Sequence, residues 1–119
     1  MSWFRKSSTK SAFDWKELNS EEQFLDLLSN SDQFAVFKHS TRCSISSMAK
    51  NRLESNWDLD ENTPLYYLDL IQYRNISNLI AEKTGVVHQS PQLILFKNGK
   101  AVYNASHSGI SVDQVKAAV

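Results

Sequence analysis

The chain carries a single cysteine, Cys43, within Phe34-Ala35-Val36-Phe37-Lys38-His39-Ser40-Thr41-Arg42-Cys43-Ser44-Ile45-Ser46. An apolar run ends, a short polar turn follows, and the thiol arrives where an amphipathic helix begins. A thiol at a helix start feels the positive end of the backbone dipole and the unpaired N–H groups of the first turn. Both favour the thiolate, the form that reacts. Arg42 adds a permanent cation next to the sulfur, and Ser44, Ile45 and Ser46 supply first-turn N–H groups. The bland alternative is a small buried hydrophobe at a strand–helix junction; the basic, helix-opening context favours a reactive thiol instead. Ser46 stands where a dithiol oxidoreductase would carry its second cysteine, so Cys43-Ser44-Ile45-Ser46 is a Cys-x-x-Ser version of Cys-x-x-Cys. Without a second thiol no internal disulfide can close, and a mixed disulfide at Cys43 must be released by an external thiol. The Ser46 hydroxyl is expected either to hydrogen-bond the thiolate or simply to be solvated in the first helical turn.

Ser90-Pro91 is the next candidate, just ahead of the apolar run Leu93–Phe96. Only about 5% of X–Pro bonds are cis, so base rates favour trans. In the topology described below, the proline faces the cysteine turn and presents the Ser90 backbone to a substrate. His39, His88 and His107 form no compact zinc pattern with Cys43. Each reads as a polar loop or strand-edge residue, and a Cys–His nucleophilic pair has no visible third orienting residue. Trp15, Trp57, Tyr66, Tyr67 and Phe96 read as packing residues. No phosphate loop, dinucleotide fingerprint or paired-carboxylate constellation is present.

These residues need a scaffold, and the pattern of apolar positions supplies one. Ser20 and Gln23 have capping-box spacing, with Phe24, Leu25 and Leu28 on one face, which predicts a first helix over Ser20–Ser29. A short strand or turn is expected over Asp14–Leu18. Phe34–Phe37 reads as a buried strand, and Leu65–Ile71 as a second. Between them, Ile45, Met48, Ala49, Leu53 and Trp57 recur at helical spacing and predict a helix over Cys43–Asn56. Arg74–Thr84 reads as a helix stopped by Gly85. Asn98-Gly99 is a hairpin turn that needs positive φ at both positions, joining Leu93–Phe96 to a return strand over Ala101–Tyr103. Val112, Val115 and Val119 mark a last helix. Strand–helix–strand units imply parallel pairing, and the hairpin adds antiparallel strands. The expected fold class is therefore α/β, with a mixed central sheet flanked by helices on both faces.

The 119 residues suffice for one domain with a real core, and 41% hydrophobic with 22% charged residues is an ordinary globular composition. A segment over residues 1–12 is expected to be flexible, followed by a single domain over 13–119. A formal net charge of zero offers no field favouring nucleic acid or an anionic membrane. One cysteine excludes a disulfide framework and points to a reducing, cytoplasmic setting. The basic residues Arg5 and Lys6 are followed by no apolar stretch, so neither a secretory signal nor a membrane span is expected.

The ordered set of strand, Cys-x-x-Ser at a helix start, crossover to a second strand, Ser90-Pro91, hairpin and last helix resembles the thioredoxin superfamily. More closely, Lys38-His39-Ser40-Thr41-Arg42-Cys43-Ser44-Ile45-Ser46 together with Ser90-Pro91-Gln92 is similar to the monothiol bacilliredoxin family of bacillithiol systems. The resemblance runs from about Trp15 to the end. It implies a thioredoxin-like fold, a cis peptide at Ser90-Pro91, and a cytoplasmic thiol–disulfide oxidoreductase with Cys43 as the attacking thiol. Thr41, Arg42, Ser44, Ser46, Ser90 and Pro91 would then surround the substrate. It further implies no bound cofactor or metal, bacillithiol or another low-molecular-weight thiol as co-substrate, S-thiolated client proteins, and a partner reductase. The chain departs from the family in having Ser44 where a proline commonly follows the cysteine. It also lacks the Cys-Gly-Phe-Ser motif of iron–sulfur monothiol glutaredoxins. Two rival readings are a non-enzymatic thioredoxin-fold module that binds peptides in the Ser90-Pro91 groove, and a redox sensor in which Cys43 is modified without turnover.

Overall fold

The computed structural model of the chain describes residues 13, 15–59 and 63–119. The segment expected to be flexible, 1–12, lies outside them. Among the described residues, five strands and four α-helices follow one another as β1 (Lys16–Glu17), α1 (Glu21–Asn30), β2 (Gln33–His39), α2 (Ser44–Asn56), β3 (Leu65–Asp69), α3 (Arg74–Thr84), β4 (Gln92–Lys97), β5 (Lys100–Ser106) and α4 (Val112–Ala118). They form one mixed sheet in the order β1-β3-β2-β4-β5. β1, β3 and β2 run parallel; β4 is antiparallel to β2, and β5 to β4. This is the expected α/β class.

Local chemistry explains most boundaries. Ser20 caps α1 by accepting the Gln23 N–H at 3.1 Å, and the Gln23 side chain reaches back to accept the Asn19 N–H at 3.0 Å. Gly85 ends α3 in the left-handed region, at φ 73°. Asn98 and Gly99 take φ 54° and 81°, the pair of positive values that a tight hairpin turn requires. β3 stops at Asp69 rather than running to Ile71, because the Asp69 carboxylate accepts the Ile71 N–H at 3.0 Å and bends the chain. β2 extends two residues past its apolar run, since Lys38 and His39 are paired with β3, and Lys38 with β4 as well. A short 3-10 turn at His107–Gly109, between β5 and α4, had no clear signature.

The core has two halves, set by strand alternation. Phe34 and Val36 of β2 face α1 and α3, packing with Phe24, Leu27, Leu68, Ile76, Ile80, Ile94 and Phe96. Ala35 and Phe37 face the other way, against Ala49 and Leu53 of α2 and Val112 and Val115 of α4. The expected inner face of α2 is corrected at its start. Ile45 and Met48 are 52% and 60% exposed, whereas Ser46 is fully buried with Ala49 and Leu53. The helix is rotated toward Ser46 because the buried hydroxyl finds polar partners, as described next.

Candidate thiol-exchange site

Cys43 is the N-cap residue of α2, with extended backbone and no side-chain hydrogen bond across the helix end. It is half-buried and unpaired. Its N–H donates to the Ser40 carbonyl at 3.1 Å, and its carbonyl accepts the Ser47 N–H at 3.1 Å, so the turn is closed on both sides of the thiol. Thr41, Arg42 and Ser44 are exposed around it. The apolar side chains of Ile45 and Met48, displaced from the core, stand on the exposed side of the same helical turns.

Ser46 is not solvated. Its Oγ lies 2.7 Å from His39 Nδ1 and accepts the Ser40 N–H at 3.1 Å. His39 is 4% exposed, stacked on Phe37 and tilted against Tyr67. Burial, and then the Lys50 ammonium, hold its imidazole below the ordinary histidine range, against the opposing carboxylates of Asp69 and Glu54. His39 is thus a neutral ring pinned under the first turn of α2. The hydroxyl at the second-cysteine position is committed to His39 and to the backbone of the cysteine turn.

The Ser90–Pro91 peptide is cis, as the resemblance implied. Register brings it to the thiol end of the sheet. Lys38 at the end of β2 pairs with Gln92 at the start of β4, so Pro91 enters the sheet where β2 runs out into the cysteine turn. The Pro91 carbonyl accepts the His107 N–H at 3.0 Å. Gln92 bridges the preceding segment, donating to the Val87 carbonyl at 3.0 Å and accepting the Gln89 N–H at 3.4 Å. Ser90 Oγ is buried with no hydrogen-bond partner among the described residues.

On the opposite face of β2, a cluster appears that no motif announced. Lys38 is fully buried. Its Nζ lies 3.5 Å from His88 Nδ1, which is also 3.1 Å from Ser77 Oγ on α3. Burial, reinforced by the nearby Arg74 cation, lowers the Lys38 ammonium to about 8. Burial, with Lys38 and then Arg74, lowers His88 as well. Alternation alone could have signalled Lys38, since it falls on the Phe34–Val36 face of a buried strand.

A groove of about 450 Å³ runs between the second half of α2 and the start of α4, lined by residues including Arg52, Asn56, Asp58 and Lys116. It does not include Cys43 or Ser90. Among the described residues no cluster of three His, Cys, Asp or Glu could hold a metal ion, and no helix is long and apolar enough to cross a membrane.

A cysteine at the start of the helix after the central strand, with a cis-proline at the same end of a mixed sheet, defines a protein of the thioredoxin fold. A solved structure described as a candidate oxidoreductase with a thioredoxin fold is 33% identical, with a TM-score of 0.76, covering 92% of this chain and 96% of the other. Fold alone is shared with mitochondrial thioredoxin 3 of Saccharomyces cerevisiae, 14% identical at TM-score 0.71 over 92% and 95% of the two chains. The same holds for thioredoxin of Plasmodium falciparum, 15% identical at TM-score 0.70 over 89% and 100%. Residues 16–115 match the model of the monothiol bacilliredoxin BrxC family, and the chain belongs to that family.

Proposed function

We propose that the chain is a monothiol exchange protein that removes a low-molecular-weight thiol, bacillithiol or a relative of it, from mixed disulfides on cytoplasmic client proteins. The observation that carries this reading is the half-buried Cys43 at the start of α2, with Ser46 in place of a second thiol. The Cys43 thiolate attacks the sulfur of the small thiol held on the client. A new disulfide forms between Cys43 and the small thiol, the client–small-thiol bond breaks, and the client sulfur leaves as thiolate and takes a proton. Cys43 then carries the oxidised small thiol. A second molecule of that thiol, or a partner reductase, attacks it and restores the Cys43 thiol. Thr41, Arg42 and Ser44 are exposed around the sulfur and face the incoming disulfide, and the Ser90 backbone docks it.

The test is intact-mass measurement after incubation with an oxidised low-molecular-weight thiol. One adduct is expected on the native chain and none on Cys43→Ser. No adduct at neutral pH on the native chain refutes exchange. An adduct that a free thiol cannot discharge supports a redox sensor instead.

A further inference from the structure

We propose that His88 is a positioning residue for the exchange reaction, a neutral imidazole that latches the Ser90–Pro91 segment to Ser77 of α3 and Lys38 of β2, and that its protonation releases the segment. The proposal rests on the exchange reading only in taking Ser90–Pro91 as the docking surface. His88 Nδ1 meets two groups, Ser77 Oγ at 3.1 Å and Lys38 Nζ at a longer 3.5 Å. A lysine ammonium has donors and no acceptor, and a serine hydroxyl can donate. The shared nitrogen must therefore carry a lone pair, which fixes His88 as the tautomer protonated at Nε2. The anchors do not move easily: Lys38 and Ser77 are both fully buried, one in the central strand and one on α3. Two residues beyond His88 comes the cis peptide.

The surroundings make the latch sensitive to acid. The charged groups facing His88 are Lys38 from β2 and Arg74 from α3, both cations. Arg74 lies three residues before Ser77, on a neighbouring part of the same helix surface. Protonating Nδ1 replaces the lone pair with an N–H that opposes the Lys38 ammonium, forces the Ser77 hydroxyl to turn from donor to acceptor, and adds a third positive charge to the cluster. No described carboxylate hydrogen-bonds to or ion-pairs with any of the three. On the far side the segment keeps its Gln92 and His107 bonds. Release on the His88 side therefore loosens the segment without unfolding the sheet.

The experiment compares two rates at Cys43 from about pH 8 down to about pH 5, the range in which histidine titrates. One is alkylation by iodoacetamide, which follows the thiolate and needs no docking. The other is exchange with an S-thiolated peptide, which needs both. Their ratio cancels the thiolate fraction. In the native chain the ratio is expected to fall at the acid end, by up to about a hundredfold, the loss that a misplacement of about 1 Å can cause. His88→Ala should hold the ratio low at every pH. His88→Asn, whose amide oxygen can replace Nδ1 as an acceptor but does not titrate, should restore the high ratio and make it flat. A flat ratio in the native chain, or an unchanged ratio in His88→Ala, overturns the proposal. The latch is also readable with no disulfide present. Amide resonances of Gln89 and Ser90 should titrate with His88 in the native chain and stay still in His88→Asn. Immobile resonances overturn the latch whether or not Cys43 exchanges, whereas titrating resonances without any exchange count against the exchange reading alone.

Discussion

At the scale of single residues, the placement of Cys43 was legible in the sequence because it depends on near neighbours: an apolar strand that ends, a short polar turn and the opening of a helix. The fate of Ser46 was not legible. Spacing places it three residues after the thiol, but only the packing of α2 on β2 decides that its oxygen meets His39 Nδ1 and the Ser40 N–H. Those partners make Ser46 a brace for the cysteine turn. Replacing it with alanine leaves a buried imidazole nitrogen and a backbone N–H without their partner, which costs about 1–3 kcal/mol. Ser46→Ala should therefore unfold at a lower urea midpoint than the native chain. A midpoint equal to the native one would mean that water substitutes for the hydroxyl and that the brace is unimportant.

At the scale of elements, strong local signals fix the chain's course and weak ones leave it to packing. The Asn98-Gly99 turn and the Gly85 stop each rest on a backbone conformation that few residues tolerate, so composition alone reveals them. The two glycines differ in surroundings. A Cβ on Gly85 would meet nothing within 4 Å, but one on Gly99 would lie 3.1 Å from the Leu28 carbonyl oxygen. Left-handed backbone costs an L-residue about 1–2 kcal/mol. Both Gly85→Ala and Gly99→Ala should lose that much in equilibrium unfolding, and Gly99→Ala should lose more because α1 cannot easily withdraw. Equal losses would show that the contact relaxes freely. For α2 the residue range was readable and the buried face was not. Serines and charged residues interleave its apolar positions, so several rotations bury similar apolar area, and a hydrogen bond chose among them.

At the scale of the whole molecule, the sheet places charge where hydrophobic patterning would not. Lys38 is fully buried at the end of the central strand, and its ammonium is lowered from 10.5 to about 8. That shift corresponds to a cost of about 3 kcal/mol for holding the charged form in the fold near neutral pH. The sign follows from a folded-state value below the unfolded one: the cost is full below about pH 8, shrinks toward about 10.5 and is absent above. Lys38→Met, which keeps the length and removes the charge, should raise stability near neutral pH by up to that amount and lose the advantage as the solution becomes strongly alkaline. Urea midpoints at the two pH values test this. A destabilised Lys38→Met at neutral pH would mean that the contact with His88 outweighs the desolvation. A lysine kept at such a cost beside the cis-proline segment is consistent with a positional task there. By itself the sequence determined the order of elements, the α/β class, the lone thiol at a helix start and the absence of a second one, because each is encoded by local periodicity, turn chemistry or residue identity. Only the tertiary structure decided which partners Lys38 and His39 meet on the two faces of their strand, Ser77 and His88 near one and Ser46 at the other. Such pairings join residues up to 50 positions apart, and contacts of that range are set by sheet register, which no local pattern in the chain records.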